Sequence, residues 1–407
     1  MERLPDENGS WFGDSGGDDA VAQVVCHVDM DCFYAACERL REPALRGEPV
    51  VVGMGYEPGA TDGAVATASY EAREYGVESA QAISTALEAL PRKIEAATDP
   101  DLSVEDAGFY RPVDLDFYES VGAEVKTLLH ERAGTVREVS IDEAYLDASG
   151  VGWGGVEPFA RELKATVERE VGVTASVGVA PTMSAAKVAS DRDKPDGLVV
   201  VEPGQVREFF APLDVEAVHG VGPVTASELR EMDIGTAGDL AAADPDRLAD
   251  RFGERGLAVR RYARGEDDRG VEPTGRPKSL SRESAFSEAT AAPTRQRERL
   301  RTLAAAVAAR AERKGVLYRT IGIKAVEPPF QVNTRAESLP GPVADADLVE
   351  ETAHSLFEEF VGDPVRKVGV RVSKLSFADR DQASLDSYAD SDGSAAGQSG
   401  QRSLWEF

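Results

Sequence analysis

The chain has 407 residues, enough for several domains, and its 42% hydrophobic content is that of a globular protein rather than a wholly disordered one. It lacks an apolar run of the ~18–20 residues that span a membrane. Its three cysteines and four histidines argue against a disulfide framework and a zinc site. The net charge of −28 suits a protein dissolved in molar salt, where a Debye length of ~3 Å screens repulsion from a nucleic acid. We expect a soluble, cytoplasmic protein and do not exclude a polyanionic partner.

The charge is unevenly distributed along the chain. Residues 1–22 are acidic and Gly-rich, lack the basic start and apolar middle of a secretory signal, and are predicted to be a disordered extension. Residues 379–407 are predicted to be a disordered tail for the same reason. Residues 279–378 carry 15 basic against 13 acidic residues. This basic segment indicates a surface that faces a polyanion, with compositional drift as the alternative.

Hydrophobic periodicity predicts alternating strands and helices up to about residue 205. Strands are predicted at 23–30, 50–54, 64–69 and 173–180, with a hairpin over 137–149, and helices at 33–41, 70–76, 81–90, 116–132 and 157–170. This order indicates an α+β sheet with helices on one face. Residues 206–265 are predicted to be helical and 271–278, rich in Pro and Gly, to be a linker. Strands and two helices, at 292–314 and 346–360, are predicted beyond it.

Two acidic pairs lie where predicted strands end or turn. Asp29 and Asp31 lie at the end of the first strand, and Asp142 and Glu143 lie at the tip of the hairpin. Two divalent metals ~3.5–4 Å apart need oxygen ligands mounted in this way. Asp29 and Asp31 should share one face of the strand, with Met30 on the other and its carbonyl available. Spacing alone leaves ordinary surface acids as the alternative.

Three further residues add phosphate-binding chemistry. Tyr70 and Arg73 lie one helical turn apart in TASYEAR, so both side chains can face one phosphate group. Lys194 lies in a loop after a predicted helix. Each residue alone would be an ordinary surface side chain. Together with the carboxylates they form the set of groups that nucleotidyl transfer requires.

Four segments resemble the motifs of the Y-family DNA polymerases, in the DNA polymerase IV branch. They are VDMDCFYAACE (28–38), GAVATASYEAREYGV (63–77), SIDEAYLD (140–147) and ASDRDKPDG (189–197), and their order and spacing match over about residues 23–378. The resemblance, with the acidic composition, implies an archaeal, halophilic member. It implies translesion synthesis of low fidelity without proofreading, in which two Mg²⁺ ions assist transfer of a dNMP to a primer 3′-OH.

The resemblance also implies a right-hand architecture. A ferredoxin-like palm would comprise 23–32 and 109–205, and small fingers would comprise 33–108, with an insertion at 94–108 to which we assign no role. A helical thumb with a helix-hairpin-helix would occupy 206–270. An α/β little finger would occupy 279–378, after the linker 271–278.

Each motif residue acquires an implied role. Asp29, Asp142 and Glu143 would be catalytic and bind the metals together with the Met30 carbonyl. Tyr34 would be the aromatic steric gate against a ribose 2′-OH. The incoming nucleotide would also contact Ala64, Ala66, Thr67, Tyr70, Arg73 and Lys194. Thr182-Met183 stands where the family often has Asn-Lys, so one basic contact is missing.

Other residues are predicted to contact primed template DNA. Gly220 and Gly222, in a helical hairpin, would let a phosphate approach the backbone N–H groups of the next helix. An ordinary helix C-cap and turn is the alternative. In the predicted little finger, the resemblance assigns phosphate contacts to Lys278 and Arg282. Basic residues of the last strand, among them Arg371 and Lys374, would alternate to one face.

The last residues carry the spacing of a sliding-clamp-binding peptide. Gln401, Leu404 and Phe407 are each three positions apart, so one helical turn would bring the two apolar side chains together. Residues 382–388 repeat the spacing with less apolar weight, and a chance match is the alternative. We expect a monomer.

Two other functions compete with a polymerase. A non-catalytic, clamp-tethered DNA-binding scaffold of the same fold would not need Asp29, Asp142 and Glu143, which are all present. A nucleotidyl cyclase on a similar sheet would need neither the thumb hairpin nor the C-terminal peptide. Primer extension with dNTPs and magnesium discriminates among the three.

Overall fold

The structure is a computed structural model that describes residues 23–377. Both acidic ends, including Gln401, Leu404 and Phe407 and the alternative segment 382–388, lie outside the described residues. The chain divides into two compact units, Met1–Gly275 and Arg276–Phe407, and this division falls within the predicted linker. Between residues 23 and 377, no helix has the length and apolar character to cross a membrane.

The first unit contains eight strands and twelve α-helices within the described residues. The strands are β1 (Val25–Met30), β2 (Val50–Met54), β3 (Ala64–Ala68), β4 (Phe109–Pro112), β5 (Thr135–Glu138), β6 (Glu143–Asp147), β7 (Ala175–Ala180) and β8 (Leu198–Val200). The helices are α1 (Phe33–Arg41), α2 (Tyr70–Arg73), α3 (Ile83–Ala89), α4 (Lys93–Ala96), α5 (Leu115–Arg132), α6 (Val156–Glu170), α7 (Met183–Arg192), α8 (Val206–Phe210), α9 (Pro223–Arg230), α10 (Ala237–Ala242), α11 (Pro245–Phe252) and α12 (Glu254–Ala263).

A five-stranded sheet, in the order β5-β6-β1-β7-β8, forms the centre of this unit. Successive side chains of β1 point to opposite faces. Cys26 and Val28 therefore share one face, where they pack with side chains of α5 and α6. Val25 and His27 share the other face, which α7 covers. A Cβ on Gly178, opposite His27, would lie 2.1 Å from the carbonyl oxygen of Ala186, so only glycine lets α7 approach this closely.

The expectation of helices on one face is therefore wrong. It holds for α5 and α6, but α7 packs on the opposite face and links the sheet to the helices that follow. One continuous core joins side chains of α7 to those of the predicted thumb, such as Leu229, Leu240 and Leu248. Thr182 caps α7 by accepting a hydrogen bond from the Ala185 N–H at 3.3 Å, a contact worth about 1 kcal/mol.

A second, three-stranded sheet in the order β3-β2-β4 forms the region predicted as fingers. Strand β4 was not predicted; it pairs in parallel with β2 and extends this sheet to Pro112. Helix α2 ends at Arg73, short of the predicted 76. The segment 94–108 holds the end of α4 and a series of turns. Buried Arg92 precedes it, and its guanidinium donates to the Tyr56 hydroxyl at 3.1 Å.

The second unit is an α/β layer. Its elements are β9 (Ser279–Thr290), α13 (Pro293–Arg313), β10 (Val316–Glu327), β11 (Gln331–Val343), α14 (Ala346–Phe357) and β12 (Val365–Phe377). The strands form an antiparallel sheet in the order β11-β10-β12-β9. Ile323, Val370 and Leu280 lie in one core with side chains of the two helices. The other face carries the side chains of alternate residues such as Arg371.

Candidate active site

Strand pairing brings the predicted metal ligands together at one end of β1. Asp29 lies opposite Glu143 of β6 and opposite Ser176 of β7 in the register of the sheet. Asp29 is buried and Glu143 is partly buried. Ligand atoms of His27, Asp29 and Glu143 all lie within 4.8 Å of one another. Two carboxylates on adjacent strands can therefore share a cation.

Asp142 lies just before β6 and is not a member of that group of three. Its carbonyl oxygen accepts a hydrogen bond from the Met30 N–H at 3.0 Å, and its carboxylate accepts one from Ser140 Oγ at 2.5 Å. The side chain of Met30 is buried on the α5–α6 face, as the alternation predicted. The four predicted positions thus meet at the junction of β1 and the β5–β6 turn.

Two lysines neutralise these carboxylates. Lys194 Nζ lies 2.6 Å from Asp29 Oδ1 and 2.8 Å from Asp191 Oδ1, and Lys187 Nζ lies 2.5 Å from Glu143 Oε1. Burial raises the pKa of Asp29, although the charge of Lys194 opposes this shift. Burial also acts to raise the pKa of Glu143, but the hydrogen bond and charge of Lys187 outweigh it, and the net direction is downward. Lys187 was not predicted.

The predicted steric gate, Tyr34, rests on a second aromatic ring. Its ring stacks on Tyr118 of α5, with centroids 4.6 Å apart and planes at 23°. Tyr118 is fully buried and its hydroxyl donates to Glu38 Oε1 at 2.6 Å. Burial, with the bond to Glu38, raises the pKa of the Tyr118 hydroxyl, so it keeps its proton. Sequence analysis missed Tyr118 and Glu38; the only signal was that Tyr34 and Glu38 lie four residues apart on α1.

The predicted phosphate-binding side chains of α2 lie together as expected. The Arg73 guanidinium stacks over the Tyr70 ring at 4.6 Å, and its Nε donates to the Ala68 carbonyl at 3.0 Å. The Tyr70 hydroxyl donates to Asp31 at 3.1 Å. Ser69 caps the helix by accepting from the Ala72 N–H. The helix thus presents an exposed guanidinium held by its neighbours.

The small residues of β3 occupy one face of that strand. Ala64 and Ala66 alternate with buried Val65 and are themselves partly exposed. Thr67 lies opposite Val52 of β2 and is also partly exposed. The absence of larger side chains at Ala64 and Ala66 leaves space above this face of β3.

The thumb hairpin has the backbone that its glycines predicted. Gly220 adopts φ +88°, which disfavours any side chain there. A Cβ on Gly222 would meet no protein atom within 4 Å. Gly222 is the N-cap of α9, and Pro223 is its first residue. Their open surroundings fit a close approach of a ligand to this helix end.

The register of the second sheet separates two predicted DNA contacts. Arg282 pairs with Val370, which is buried under the helices, whereas Arg371 pairs with Ser281. Because paired residues share a face, Arg282 lies on the helix-covered face of the sheet and Arg371 lies on the opposite face. Partial burial lowers the pKa of Arg371. Lys278 is exposed, and Lys374 reaches Ser338 Oγ at 3.4 Å.

Comparison with known proteins shows similarity over most of the chain. The impB/mucB/samB family matches residues 28–191, and the C-terminal domain of that family matches residues 277–386. A DNA polymerase IV of Halobacterium salinarum is 62% identical over 364 residues, which cover 89% of this chain and 87% of the relative. A DNA polymerase IV of Methanoculleus marisnigri is 41% identical over 369 residues, covering 90% and 98%.

Solved structures show the same architecture. A Y-family DNA polymerase chimera of Dbh and Dpo4 superposes with a TM-score of 0.75 at 27% identity, covering 87% of this chain and 99% of the other. An insertion ternary complex of Dbh DNA polymerase has a TM-score of 0.60 at 26% identity, with the same coverage of both chains. The similarity extends over both compact units.

Proposed function

The chain belongs to the Y family of DNA polymerases, in its DNA polymerase IV branch, and we propose that it copies damaged templates by metal-assisted transfer of a dNMP to a primer 3′-OH. The observation that carries the proposal is the pairing of Asp29 with Glu143 across two strands. The proposed substrates are primed template DNA and dNTPs. Low fidelity and the absence of proofreading belong to the same proposal.

We propose two Mg²⁺ ions as the cofactors, because the donor set is of the kind that holds this cation. Asp29, Glu143 and Asp142 offer carboxylate oxygens and Met30 a carbonyl, and Mg²⁺ prefers oxygen donors. When bound, the ions would lower the pKa of the primer 3′-OH and stabilise the charge that develops on the triphosphate. The strand pairing mounts these oxygens rigidly, which keeps the reacting groups aligned.

The remaining residues bind and select the nucleotide. The Arg73 guanidinium and the Lys194 ammonium supply positive charge for the triphosphate, next to Tyr70 and Thr67. Lys194 would exchange its ion pair with Asp29 for a phosphate contact. The Tyr34 ring excludes a 2′-OH by its volume.

Ala64 and Ala66 leave the incoming base pair loosely enclosed, which would admit a damaged template base. Loose enclosure would account for both low fidelity and lesion bypass. A site that does not fit the base pair tightly does not strictly require a correctly shaped pair or an undamaged template base.

DNA binding is proposed for both units. The backbone N–H groups after Gly222 would hold a phosphate without reading sequence. Arg371 and Lys374 would add charged phosphate contacts in the second unit, and Lys278 and Arg282 would do so near its first strand. High salt weakens such contacts, because counterions released from the DNA into concentrated salt gain less entropy. Molar salt also screens the repulsion between DNA and a net charge of −28, so local basic contacts would carry the binding.

We also propose that Gln401, Leu404 and Phe407 tether the enzyme to a sliding clamp, that the protein is a monomer, and that it works in the cytoplasm. The tether is supported by residue spacing in the printed sequence alone. Apolar burial would carry this contact, and salt does not screen apolar burial.

Primer extension across a salt series tests the catalytic proposal. Asp142→Ala and Glu143→Ala should each lower incorporation at least about a thousandfold, because loss of a metal ligand removes several kcal/mol of charge stabilisation. Affinity for primed DNA should stay within about twofold of the wild-type value. Activity near the wild-type level in either variant would contradict the assignment. Wild-type protein that binds DNA but never extends a primer would favour the scaffold.

A further inference from the structure

Asp31 collects hydrogen bonds from three separate elements. The residue is only 4% exposed. It accepts from Ser176 Oγ of β7 at 2.9 Å, from the Tyr70 hydroxyl of α2 at 3.1 Å, and from the Asp196 N–H at 2.9 Å. Asp196 follows Lys194 by two positions. One buried side chain thus ties the sheet to both groups proposed to hold the triphosphate.

The network satisfies a carboxylate. An ionised carboxyl group only accepts hydrogen bonds, and all three partners donate to it here. The Asp196 N–H can only donate, whereas the hydroxyls of Ser176 and Tyr70 can also accept. Ser176 completes the arrangement by accepting from the Gly197 N–H at 3.0 Å while it donates to Asp31. An amide at position 31 could meet the Asp196 N–H only with its carbonyl oxygen, and its N–H₂ group would then face the hydroxyls. A shape-conserving Asp31→Asn change therefore removes the negative charge that strengthens these hydrogen bonds but little volume.

The contacts of Asp31 propagate to the phosphate-binding charges. Fixing the Tyr70 hydroxyl fixes the ring on which the Arg73 guanidinium lies at 4.6 Å. Holding the Asp196 N–H fixes the loop in which Lys194 points to Asp29 at 2.6 Å. Asp31 itself is not in the group of ligand atoms formed by His27, Asp29 and Glu143. Its position therefore suits orientation of the triphosphate-binding side chains more than coordination of a metal.

We propose that Asp31 is a positioning residue for the nucleotide triphosphate, which acts by holding Tyr70 and the Lys194–Asp196 loop in one arrangement. This inference rests on the proposed function of Tyr70, Arg73 and Lys194. Asp31 lies too deep to touch the substrate's sugar or base through these contacts. Its loss should weaken binding of the triphosphate and leave the metal-binding carboxylates in place.

The test is single-nucleotide insertion by Asp31→Asn, Tyr70→Phe and the double variant, at saturating primed DNA. We expect Asp31→Asn to raise the KM for dNTP about tenfold, which corresponds to the loss of charge assistance in the hydrogen bonds of Asp31, with kcat within about threefold of wild type. The KM for pyrophosphate in the reverse reaction should rise in parallel. Because both single changes act on the same hydrogen bond, the double variant should fall short of the product of the two single effects.

Asp267→Asn is the matched control. Asp267 is also buried, and its carboxylate accepts from the Ser184 N–H at 3.0 Å and from Arg269 Nε at 2.7 Å. It should lose stability without a change in the KM for dNTP. If Asp31→Asn does not fold, Tyr70→Phe removes the same bond from the less buried end and should still raise that KM.

Three results overturn the inference. One is an unchanged KM for dNTP in Asp31→Asn, another is a loss of DNA affinity as large as the loss of dNTP affinity, and the third is fully multiplicative effects of Asp31→Asn and Tyr70→Phe. Failure of the underlying proposal is distinguishable. If Arg73→Ala also leaves the KM for dNTP unchanged, the proposed triphosphate-binding role of these residues is wrong. If Arg73→Ala raises this KM and Asp31→Asn does not, only the role of Asp31 is wrong.

Discussion

Replacing Tyr118 with leucine tests whether sugar selection depends on the ring behind Tyr34. The two rings stack at 4.6 Å, and the Tyr118 hydroxyl is anchored to buried Glu38 at 2.6 Å. A stacked aromatic pair contributes about 0.5–1.5 kcal/mol beyond simple burial. Leucine removes this energy, so the Tyr34 ring gains freedom to move away from the position that blocks a 2′-OH.

The stacking energy sets the size of the effect. We expect the ratio of kcat/KM for dNTP to that for the matching rNTP to fall about two- to tenfold, at ~1.4 kcal/mol per factor of ten. The free energy of unfolding should fall by about 3–5 kcal/mol, because the variant leaves a cavity and removes the donor to Glu38. Tyr118→Phe is the control, since it keeps the ring and loses only the hydroxyl. It should keep sugar discrimination within about twofold while losing about 1–3 kcal/mol of stability.

The assay is single-nucleotide insertion with dNTP and rNTP opposite one template base, in molar salt, together with denaturant unfolding of each variant. Comparing the two variants separates ring stacking from stability. Full sugar discrimination in Tyr118→Leu would refute the reasoning. So would an equal loss of discrimination in Tyr118→Phe, because that would place the effect in the hydrogen bond.

Three further outcomes are expected. Tyr34→Ala should raise rNTP insertion far more than it changes dNTP insertion, since the ring excludes the 2′-OH by volume; unchanged sugar selectivity would contradict the gate. Dilution from molar salt should lower the melting temperature, because a net charge of −28 repels itself when screening is weak; full stability in low salt would remove the halophilic interpretation. Deleting 401–407 should leave extension of a short primed template unchanged and abolish stimulation by the cognate clamp, and wild-type clamp affinity in calorimetry would direct attention to 382–388.

The sequence by itself was enough to identify the family and to predict where its acidic side chains lie. VDMD and SIDE predicted carboxylates at the end of a strand and at a hairpin tip, and the structure has β1 ending at Met30 and β6 beginning at Glu143. These assignments succeed because strand ends and turns are determined by short-range alternation and by polar residues close together in the chain. The spacing of Tyr70 and Arg73 likewise predicted that their side chains lie on the same side of a helix, since one helical turn is a local distance.

Tertiary structure decided which partners support those groups. Tyr118 lies behind Tyr34, Lys187 pairs with Glu143, and Asp31 joins Ser176 to Tyr70 across residues distant in sequence. No local pattern encodes such pairs, because they depend on strand register and on how helices pack against the sheet.

Arg282 and Arg371 of the second unit show the same limit of prediction from sequence. Alternation predicted that the basic residues of the last strand share a face, but only packing determines which face the helices cover. Helices α13 and α14 bury the side of Val370 and Ile323, and the cross-strand register then places Arg282 on that side and Arg371 on the other. The alternation of side chains along a strand sorts them into two faces but does not say which face is buried. Packing of the helices on one face decides that.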